Sequence, residues 1–513
     1  MGTEGLLSPA ERGSLFAHPR WLPGLLLVLL LAGGAAFRLY DLTDPPLDFH
    51  PTRQVRSLII ARGMYVQNLA DVPEWQREFA VRQWRAQDVI EPPIMETLTA
   101  FAYRLIGGEA LWIGRLFSIF FWLVGGAGLW LLARRLLGED AAVWGVALYL
   151  GWQYAILASR SFQPDPFMTA AIIWSLLGAA EWHTRPGWGR AVTAGLLAGA
   201  ALLVKWTAVF FIAGGWLGLL LADGSLHRLW RNRQLWVIGG LTVLPGLLYA
   251  LYSAWVLNSL QGQLSLRFFP QMWLDAVFYL RWWLRLNDVV SLVWLVLMIL
   301  GIFCLPVGRA RALLLGWAAG YGVYALIFSY YVSTHDYYHL PLIPLAALGV
   351  GNALTVLVGR LQLPSGWQRG LGILLVALVF LAEGWSARTL LKRQDFRPVV
   401  EQIETIAARF SPQDSLVSLA PDYSLSLVYW GWLNTAHWFG VGDFALRQAA
   451  GQNIDFEEYF QTQTSARDYF LVNDFEELAR QPQLQAELEN YYPPVMEGQG
   501  FRVYDLRQRK ELP

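Results

Sequence analysis

The sequence predicts an all-α polytopic membrane protein that carries a small α/β domain at its C-terminus. Apolar residues make up 55% of the 513 residues and charged residues only 15%, which is too apolar a composition for a soluble protein of this size. Charge-poor runs of bilayer-spanning length recur along residues 1–391. The formal net charge is zero, so charge gives no reason to expect a nucleic-acid partner.

About eleven membrane spans are predicted from these runs. They lie at about 21–40, 112–133, 141–158, 166–182, 191–204, 206–222, 235–257, 289–305, 312–332, 340–359 and 370–391. The alternative for the first run is a signal peptide, because Arg12 and Arg20 precede it and small residues end it. The alternative for 191–222 is one long helix with Lys205 inside it.

The distribution of arginines favours two short helices over one in the run 191–222. With eleven spans, the arginines of the short loops gather on one side, which the positive-inside rule makes cytoplasmic. A single crossing would move the seven short-loop arginines from Arg228 onward to the outside. We therefore predict a multi-pass protein of the plasma (inner) membrane with a cytoplasmic N-terminus, and we place Lys205 at the outer tip of a helical hairpin.

Residues 392–513 are predicted to form a soluble extracytoplasmic α/β domain attached to a transmembrane domain at 1–391. A helix at 398–410 has apolar residues on one face, and short strands are predicted at 468–473 and 501–506. One alternative treats this domain as a receptor on a membrane anchor, but eleven spans exceed what an anchor needs.

Unusual polar residues converge on the outer side of the predicted bundle. The elements that share this side are the first outer loop at about 41–111, the segment 159–165, the tip at Lys205, the loop 258–288 and the segment 333–339. Carboxylates, cations and aromatic side chains are therefore expected to meet at one membrane surface.

The order of these motifs resembles that of the GT-C superfamily of polytopic glycosyltransferases, in the family 39-like group of protein O-mannosyltransferases and the lipid A aminoarabinose transferase. The matching segments are 48–53, 91–94, 105–107 with 114–116, 159–165, 195–205 and 335–341. The first has the sequence Asp-Phe-His-Pro-Thr-Arg, whereas the family usually has adjacent Asp and Glu in this loop. In this chain Phe49 stands where the second acid of that pair would be.

The resemblance implies transfer of a sugar from a polyprenyl-phosphate-linked donor to a protein, lipid or glycan acceptor, with inversion at the anomeric carbon. Such a reaction needs a carboxylate that takes the acceptor proton and cations that stabilise the leaving phosphate. Asp48 is the candidate base, because it is the acid nearest Arg53 in the motif. The alternative is that Asp48 caps a turn or a helix.

The remaining candidate residues each have a structural alternative. Lys205 either binds phosphate or snorkels at the interface, and Asp165 either acts in catalysis or offsets a helix dipole. The resemblance adds Glu91 to the catalytic candidates. It implies substrate binding by Arg53, His335, Tyr338 and His50.

No cofactor is required by the sequence, but a divalent metal is considered. His50, Glu91 and His335 would supply its ligands if their loops meet, although no HExxH or CxxC spacing supports such a site. The alternative function is a multi-span lipid or sugar transporter or flippase. Polar residues at one surface argue against it, because transporter sites usually lie near the bilayer midplane.

Overall fold

The computed structural model describes residues 14–87, 91–222, 231–255 and 267–510. Its N-terminal part is a bundle of helices, and its C-terminal part is a small α/β unit. The helices of the bundle and of its outer loops are α1 Leu22–Leu39, α2 Pro51–Val66, α3 Glu74–Arg85, α4 Ile94–Ile106, α5 Trp112–Leu136, α6 Glu139–Gly151, α7 Gln153–Ser159, α8 Asp165–Thr184, α9 Trp188–Val204, α10 Ala208–Ala222, α11 Arg233–Trp255, α12 Ala276–Val290, α13 Leu292–Cys304, α14 Arg309–Ile327, α15 Ser329–Thr334, α16 Leu342–Gly359 and α17 Ser365–Arg393.

Several of these helices are long and apolar enough to cross a membrane. Within the described ranges six qualify by length and composition, or up to eight if each bent pair is one span. They are α1, α5, α11, α14, α16 and the stretch Ser365–Ala407 that contains α17. The helices α9 and α10 are apolar but shorter. The fold class is therefore confirmed, while the number of eleven spans stays a prediction.

Two predicted spans are bent rather than straight. The run 141–158 is divided into α6 and α7, which meet at an angle of 60° at Trp152. The pair α12 and α13 meets at 87° at Ser291, so the span predicted at 289–305 begins at a sharp corner. The second half of the connection predicted at 258–288 contains a helix, because α12 occupies residues 276–290. Residues 258–266 of this predicted loop lie outside the described residues.

The predicted break at Lys205 is confirmed. The helix α9 ends at Val204, and Lys205 adopts an extended conformation with φ −161° and ψ 125°. The chain resumes as α10 at Ala208. Lys205 therefore lies at a turn between two apolar helices.

Close packing between helices depends on glycine at the crossing of α10 and α14. A Cβ added to Gly218 would lie 2.1 Å from the carbonyl oxygen of Ala312, and one added to Gly316 would lie 2.2 Å from that of Gly214. Small residues let helix backbones approach closely in a bilayer. Lys205 lies just before α10. The crossing therefore sets its position relative to the segment that follows α14.

The first outer loop, predicted at 41–111, contains the helices α2, α3 and α4. Their apolar faces form a cluster with Val55, Leu58 and Tyr103 at its centre. Val428 and Tyr429 of the C-terminal unit belong to the same cluster. The outer loop and the C-terminal unit therefore share a hydrophobic core.

The C-terminal unit is a five-stranded sheet with helices around it. The strands are β1 Ser415–Leu419, β2 Asn434–His437, β3 Tyr469–Val472, β4 Pro494–Gly498 and β5 Phe501–Asp505. The helices are α18 Arg397–Ala407, α19 Leu425–Tyr429, α20 Val441–Ala449, α21 Phe456–Thr464, α22 Phe475–Ala479 and α23 Pro482–Tyr491. The strand order is β2-β1-β3-β5-β4, in which β1 is parallel to β2 and β3 and β5 is antiparallel to its neighbours. The predicted helix and both predicted strands are confirmed as α18, β3 and β5.

Candidate active site

The first turn of α2 joins the acidic segment, residues 41–53 with Asp41, Asp44 and Asp48, to the loop before α8. His50 adopts a left-handed conformation with φ 45° and is followed by Pro51 at the first helical position, where proline is favoured. The Gln54 side chain donates to the carbonyl oxygen of Phe49 at 2.8 Å and accepts from the backbone N–H of Phe162 at 2.9 Å. This amide fixes two predicted site segments against each other.

Asp48 lies buried between two arginines. Arg115 Nη2 donates to its Oδ1 at 2.5 Å, and Gln54 Nε2 donates to the same oxygen at 3.1 Å. Its Oδ2 lies 3.6 Å from Arg160 Nη1, a charged contact longer than a hydrogen bond. The Asp48 side chain is 5% exposed. The carboxylate is thus held in one orientation chiefly through Oδ1.

Asp165, Lys205 and Arg53 form a second ionic cluster. Lys205 Nζ donates to Asp165 Oδ1 at 2.7 Å, while Arg53 Nη2 lies 3.4 Å from Oδ2. Burial lowers the pKa of Lys205, and the nearby Asp165 opposes this shift. The Lys205 ammonium also lies 5.9 Å and 5.6 Å from the ring centroids of Tyr337 and Tyr338. Two cations therefore surround one buried carboxylate beneath two tyrosines.

His50 and Asp336 form a third pair, which joins the first outer loop to the segment before α16. His50 Nε2 lies 2.5 Å from Asp336 Oδ1, and both side chains are about one quarter exposed, at 27% and 24%. Burial alone would raise the pKa of Asp336, but its hydrogen bonds with His50, Tyr154 and the Tyr337 backbone and the charge of His50 together lower it. Burial lowers the pKa of His335 to about 4, so this neighbouring ring is neutral at pH 7.

Glu91 lies at the edge of a polar pocket beside the second cluster. Arg53, Ser57, Glu96 and Val204 line this pocket with it. Glu96 accepts a hydrogen bond from Ser57 Oγ at 2.7 Å, and burial raises the pKa of its carboxyl group. The pocket therefore contains two acids, Glu91 and Glu96, beside Arg53.

The considered metal site is not assembled. Throughout the described part of the chain, no group of three or more His, Cys, Asp and Glu side chains is placed to hold a metal ion. The rings of His50 and His335 are 6.4 Å apart, whereas Glu91 lines the pocket beside Arg53. These three residues do not fit a divalent metal.

The predicted candidates thus fall into neighbouring clusters rather than one. Sequence reasoning singled out Asp48, Asp165, Lys205 and His50 but missed several of their partners, namely Gln54, Arg115, Asp336 and Tyr337, and it also missed Glu96 in the neighbouring pocket. Arg115 and Asp336 lie inside the segments that carry the family resemblance, and this position was the available signal. Gln54 and Glu96 had no signal, because an amide or a glutamate in an amphipathic helix is ordinary.

A family model matches part of the chain. Residues 90–252 match the model described as dolichyl-phosphate-mannose-protein mannosyltransferase. The matched range includes Glu91, Asp165 and Lys205 but begins after Asp48. No curated protein sequence matches the chain.

Solved structures match nearly the whole chain. ArnT from Cupriavidus metallidurans, bound to undecaprenyl phosphate, has 17% identity and a TM-score of 0.57, covering 96% of this chain and 98% of its own. An Archaeoglobus fulgidus oligosaccharyltransferase in complex with Zn and sulfate has 14% identity and a TM-score of 0.58, covering 94% and 73%. AglB from the same organism, with an inhibitory peptide and a dolichol-phosphate, has 12% identity and a TM-score of 0.56, covering 95% and 74%. Nearly all of the described chain thus shares its fold with these proteins.

Proposed function

The chain has the GT-C fold of polytopic membrane glycosyltransferases, and from this premise we propose that it transfers a sugar from a polyprenyl-phosphate donor to an acceptor hydroxyl or amine, with inversion. The observation that carries the proposal is that neighbouring residues in the first turn of α2 join two ionic clusters. Gln54 donates to the fixed carboxylate of Asp48, while Arg53 contacts Asp165, which pairs with the cation Lys205. The family-model match and the ligands of the similar structures support the same substrate class.

The reaction follows from these groups as a single displacement. The acceptor oxygen or nitrogen forms a bond to the anomeric carbon while the bond from that carbon to the phosphate oxygen breaks. The acceptor proton passes to Asp48 Oδ2, whose contact with Arg160 Nη1 is longer than a hydrogen bond at 3.6 Å. The polyprenyl phosphate leaves with one more negative charge, which Lys205 and Arg53 stabilise.

An apolar groove supports a lipid-linked donor. It runs between α10 and α14 from Phe210 and Val323 at one end to Ala222 and Ala312 at the other. The Phe210 ring packs 5.9 Å from Tyr324, which stacks at 6.2 Å on Tyr338 above Lys205. A phosphate at Lys205 would therefore have an apolar path for its isoprenoid tail.

The test of the proposal is donor consumption by the purified protein and by Asp48→Asn. Loss of a general base slows a reaction by about 10²–10⁴-fold, so we expect Asp48→Asn to lose transfer. Asp41→Asn is the matched control, since Asp41 lies in the same acidic segment but pairs with Arg397 at 2.6 Å. Failure of the wild type to consume any polyprenyl-phosphate sugar would favour the transporter or flippase alternative.

A second variant checks which carboxylate takes the proton. Asp336→Asn removes the partner of His50 and leaves Asp48 intact. Full loss of turnover in Asp336→Asn, with Asp48→Asn active within a few-fold of wild type, would assign the base to the His50–Asp336 pair instead of Asp48.

A further inference from the structure

A polar cluster lies at the carboxyl ends of the parallel strands β1 and β2. Tyr423 follows β1, His437 ends β2, and Asp443 lies in the first turn of α20. Tyr423 Oη donates to Asp443 Oδ1 at 2.9 Å, and the rings of Tyr423 and His437 are 4.7 Å apart. Ligands of open α/β sheets bind outside the carboxyl ends of parallel strands, so this is the expected place for a binding site.

The backbone of the turn after β1 is strained. Asp422, Tyr423 and Ser424 have φ values of 50°, 59° and 62°, which non-glycine residues rarely adopt, and such strain concentrates at functional sites. The turn is held by the Ser424 and Ser418 hydroxyls at 2.7 Å, and Asp422 accepts from the Ser426 N–H at 3.1 Å. The result is a Tyr423 ring that stays 49% exposed.

The cluster contains an unsatisfied buried atom. His437 Nε2 is buried and makes no hydrogen bond, although Asp443 Oδ2 lies 3.8 Å away. Buried polar atoms in proteins are nearly always paired. The charged partner nearest to this nitrogen is the Asp443 carboxylate, so the His437 ring is held between that carboxylate and the exposed Tyr423 side chain.

The turn faces the candidate active site. The segment Pro421–Ser424 lies against α2, and the next helix is anchored where Arg62 stacks 3.6 Å from the Tyr429 ring. Tyr330 and Tyr331 are near enough to act electrostatically on Tyr423 and help to raise its pKa, after burial and Asp443. Tyr331 in turn stacks at 5.3 Å on Tyr338. The turn after β1 thus contacts α2, whose first turn carries residues of the ionic clusters.

We propose that Tyr423, His437 and Asp443 form an acceptor subsite that binds the hydroxyl groups of a carbohydrate-containing acceptor. The proposal rests on the proposed transferase function. The exposed tyrosine offers a flat apolar face with a polar edge, and the carboxylate accepts hydrogen bonds from hydroxyls. His437 positions both groups, because its ring packs against Tyr423 and lies beside Asp443.

The experiment measures transfer by the detergent-purified full chain. A radiolabelled polyprenyl-phosphate sugar is the donor, and an extract of membranes from cells lacking this protein is the acceptor pool. We expect label in the glycan and glycolipid fraction, and Tyr423→Ala and Asp443→Asn should raise the apparent KM for the extract about ten-fold while the KM for the donor stays within two-fold. Tyr423→Phe, which loses only the hydroxyl contact with Asp443, should have a smaller effect.

Asp443 also caps α20, because it accepts from the Gly440 N–H at 3.0 Å. Asp455→Asn is therefore the matched control, since Asp455 caps α21 by accepting from the Glu458 N–H at 3.0 Å. Tyr491→Ala controls for loss of a tyrosine on the same unit. Both controls should keep the wild-type KM for extract and donor.

Three results would overturn the subsite. They are label confined to the protein fraction, an unchanged KM for the extract in both subsite variants, and an equal rise of both KM values. A wild type that consumes no donor with any extract would instead overturn the proposed transferase function, and the subsite with it.

Discussion

At the scale of single residues, variants of the Lys205–Asp165 ion pair test whether Lys205 binds the donor phosphate or only anchors the chain at the membrane interface. Removing one partner of a buried pair costs about 3–5 kcal/mol, because Asp165 would then have only Arg53 at 3.4 Å. We predict that Lys205→Ala lowers the thermal midpoint and weakens donor binding. Lys205→Arg should keep part of the activity, since it retains the positive charge but not the ammonium geometry.

The double variant Lys205→Ala/Asp165→Ala is the control for stability. It removes both charges, so it should recover much of the thermal midpoint without recovering donor binding. Normal donor binding and turnover in Lys205→Ala would make Lys205 an interfacial anchor. The phosphate would then have to bind another cation, with Arg53, Arg160 and Arg267 as the next candidates.

His339 makes stability depend on pH. It is fully buried, its Nε2 donates to the Val332 carbonyl oxygen at 2.8 Å, and its Nδ1 accepts from Tyr321 Oη at 2.7 Å. Burial lowers the pKa of His339 to about 4, whereas an unfolded histidine titrates near pH 6.5. Between these values the unfolded chain binds more protons, so stability is lost as the pH falls from about 6.5 to 4.

The measurement is the thermal midpoint in detergent across that pH range. His339→Gln removes the titrating group, so its midpoint should fall less steeply with acid than that of the wild type. An identical slope in both proteins would mean that His339 is already protonated in the folded state or that it titrates normally.

At the scale of elements, the crossing of α10 and α14 gives a prediction with an internal control. Gly316→Ala would place a Cβ 2.2 Å from the Gly214 carbonyl oxygen, whereas Gly322 of the same helix has no atom within 4 Å of an added Cβ. We expect Gly316→Ala to lower the free energy of unfolding by about 1–3 kcal/mol, which is typical of overpacking. The thermal midpoint should fall accordingly. Gly322→Ala should leave it unchanged or raise it slightly. Equal effects would show that the helices do not pack this closely.

Helix existence was predictable from hydropathy, but helix bends were not. The turn at Lys205 was predictable because a charge interrupts an apolar run. The sequence has no comparable signal at the Trp152 bend. There Arg38 Nη1 of α1 donates to the Leu150 carbonyl oxygen at 2.8 Å. The Glu383 carboxylate of α17 accepts from the Gln153 N–H at 3.0 Å. The backbone groups freed by that bend are satisfied by residues distant in sequence, so a local pattern could not reveal it.

At the scale of the whole molecule, topology brought the site segments together, and only part of the site followed from the sequence. Counting spans placed the segments of Asp48, Asp165, Lys205 and His335 on one side, and direct contacts now join these segments. The choice of partners could not be predicted, since His50 and Asp336 are 286 positions apart. Pairing of that kind depends on packing within a few ångströms, whereas hydropathy defines only which side a loop occupies.

The orientation of the molecule in the membrane is the last prediction. Arginines in the short loops favour a cytoplasmic N-terminus, which places the site and the C-terminal unit outside. Cysteines introduced at the exposed positions Gln413 and Thr334 should react with a membrane-impermeant thiol reagent in intact cells. A cysteine at Ser225, which lies outside the described residues, should stay unlabelled until the cells are opened. The native Cys304, which is free and exposed, is first replaced by alanine. Labelling at Ser225 with protection at Thr334 would show that the orientation is the opposite of the predicted one. A donor on the outer surface could then not reach Asp48.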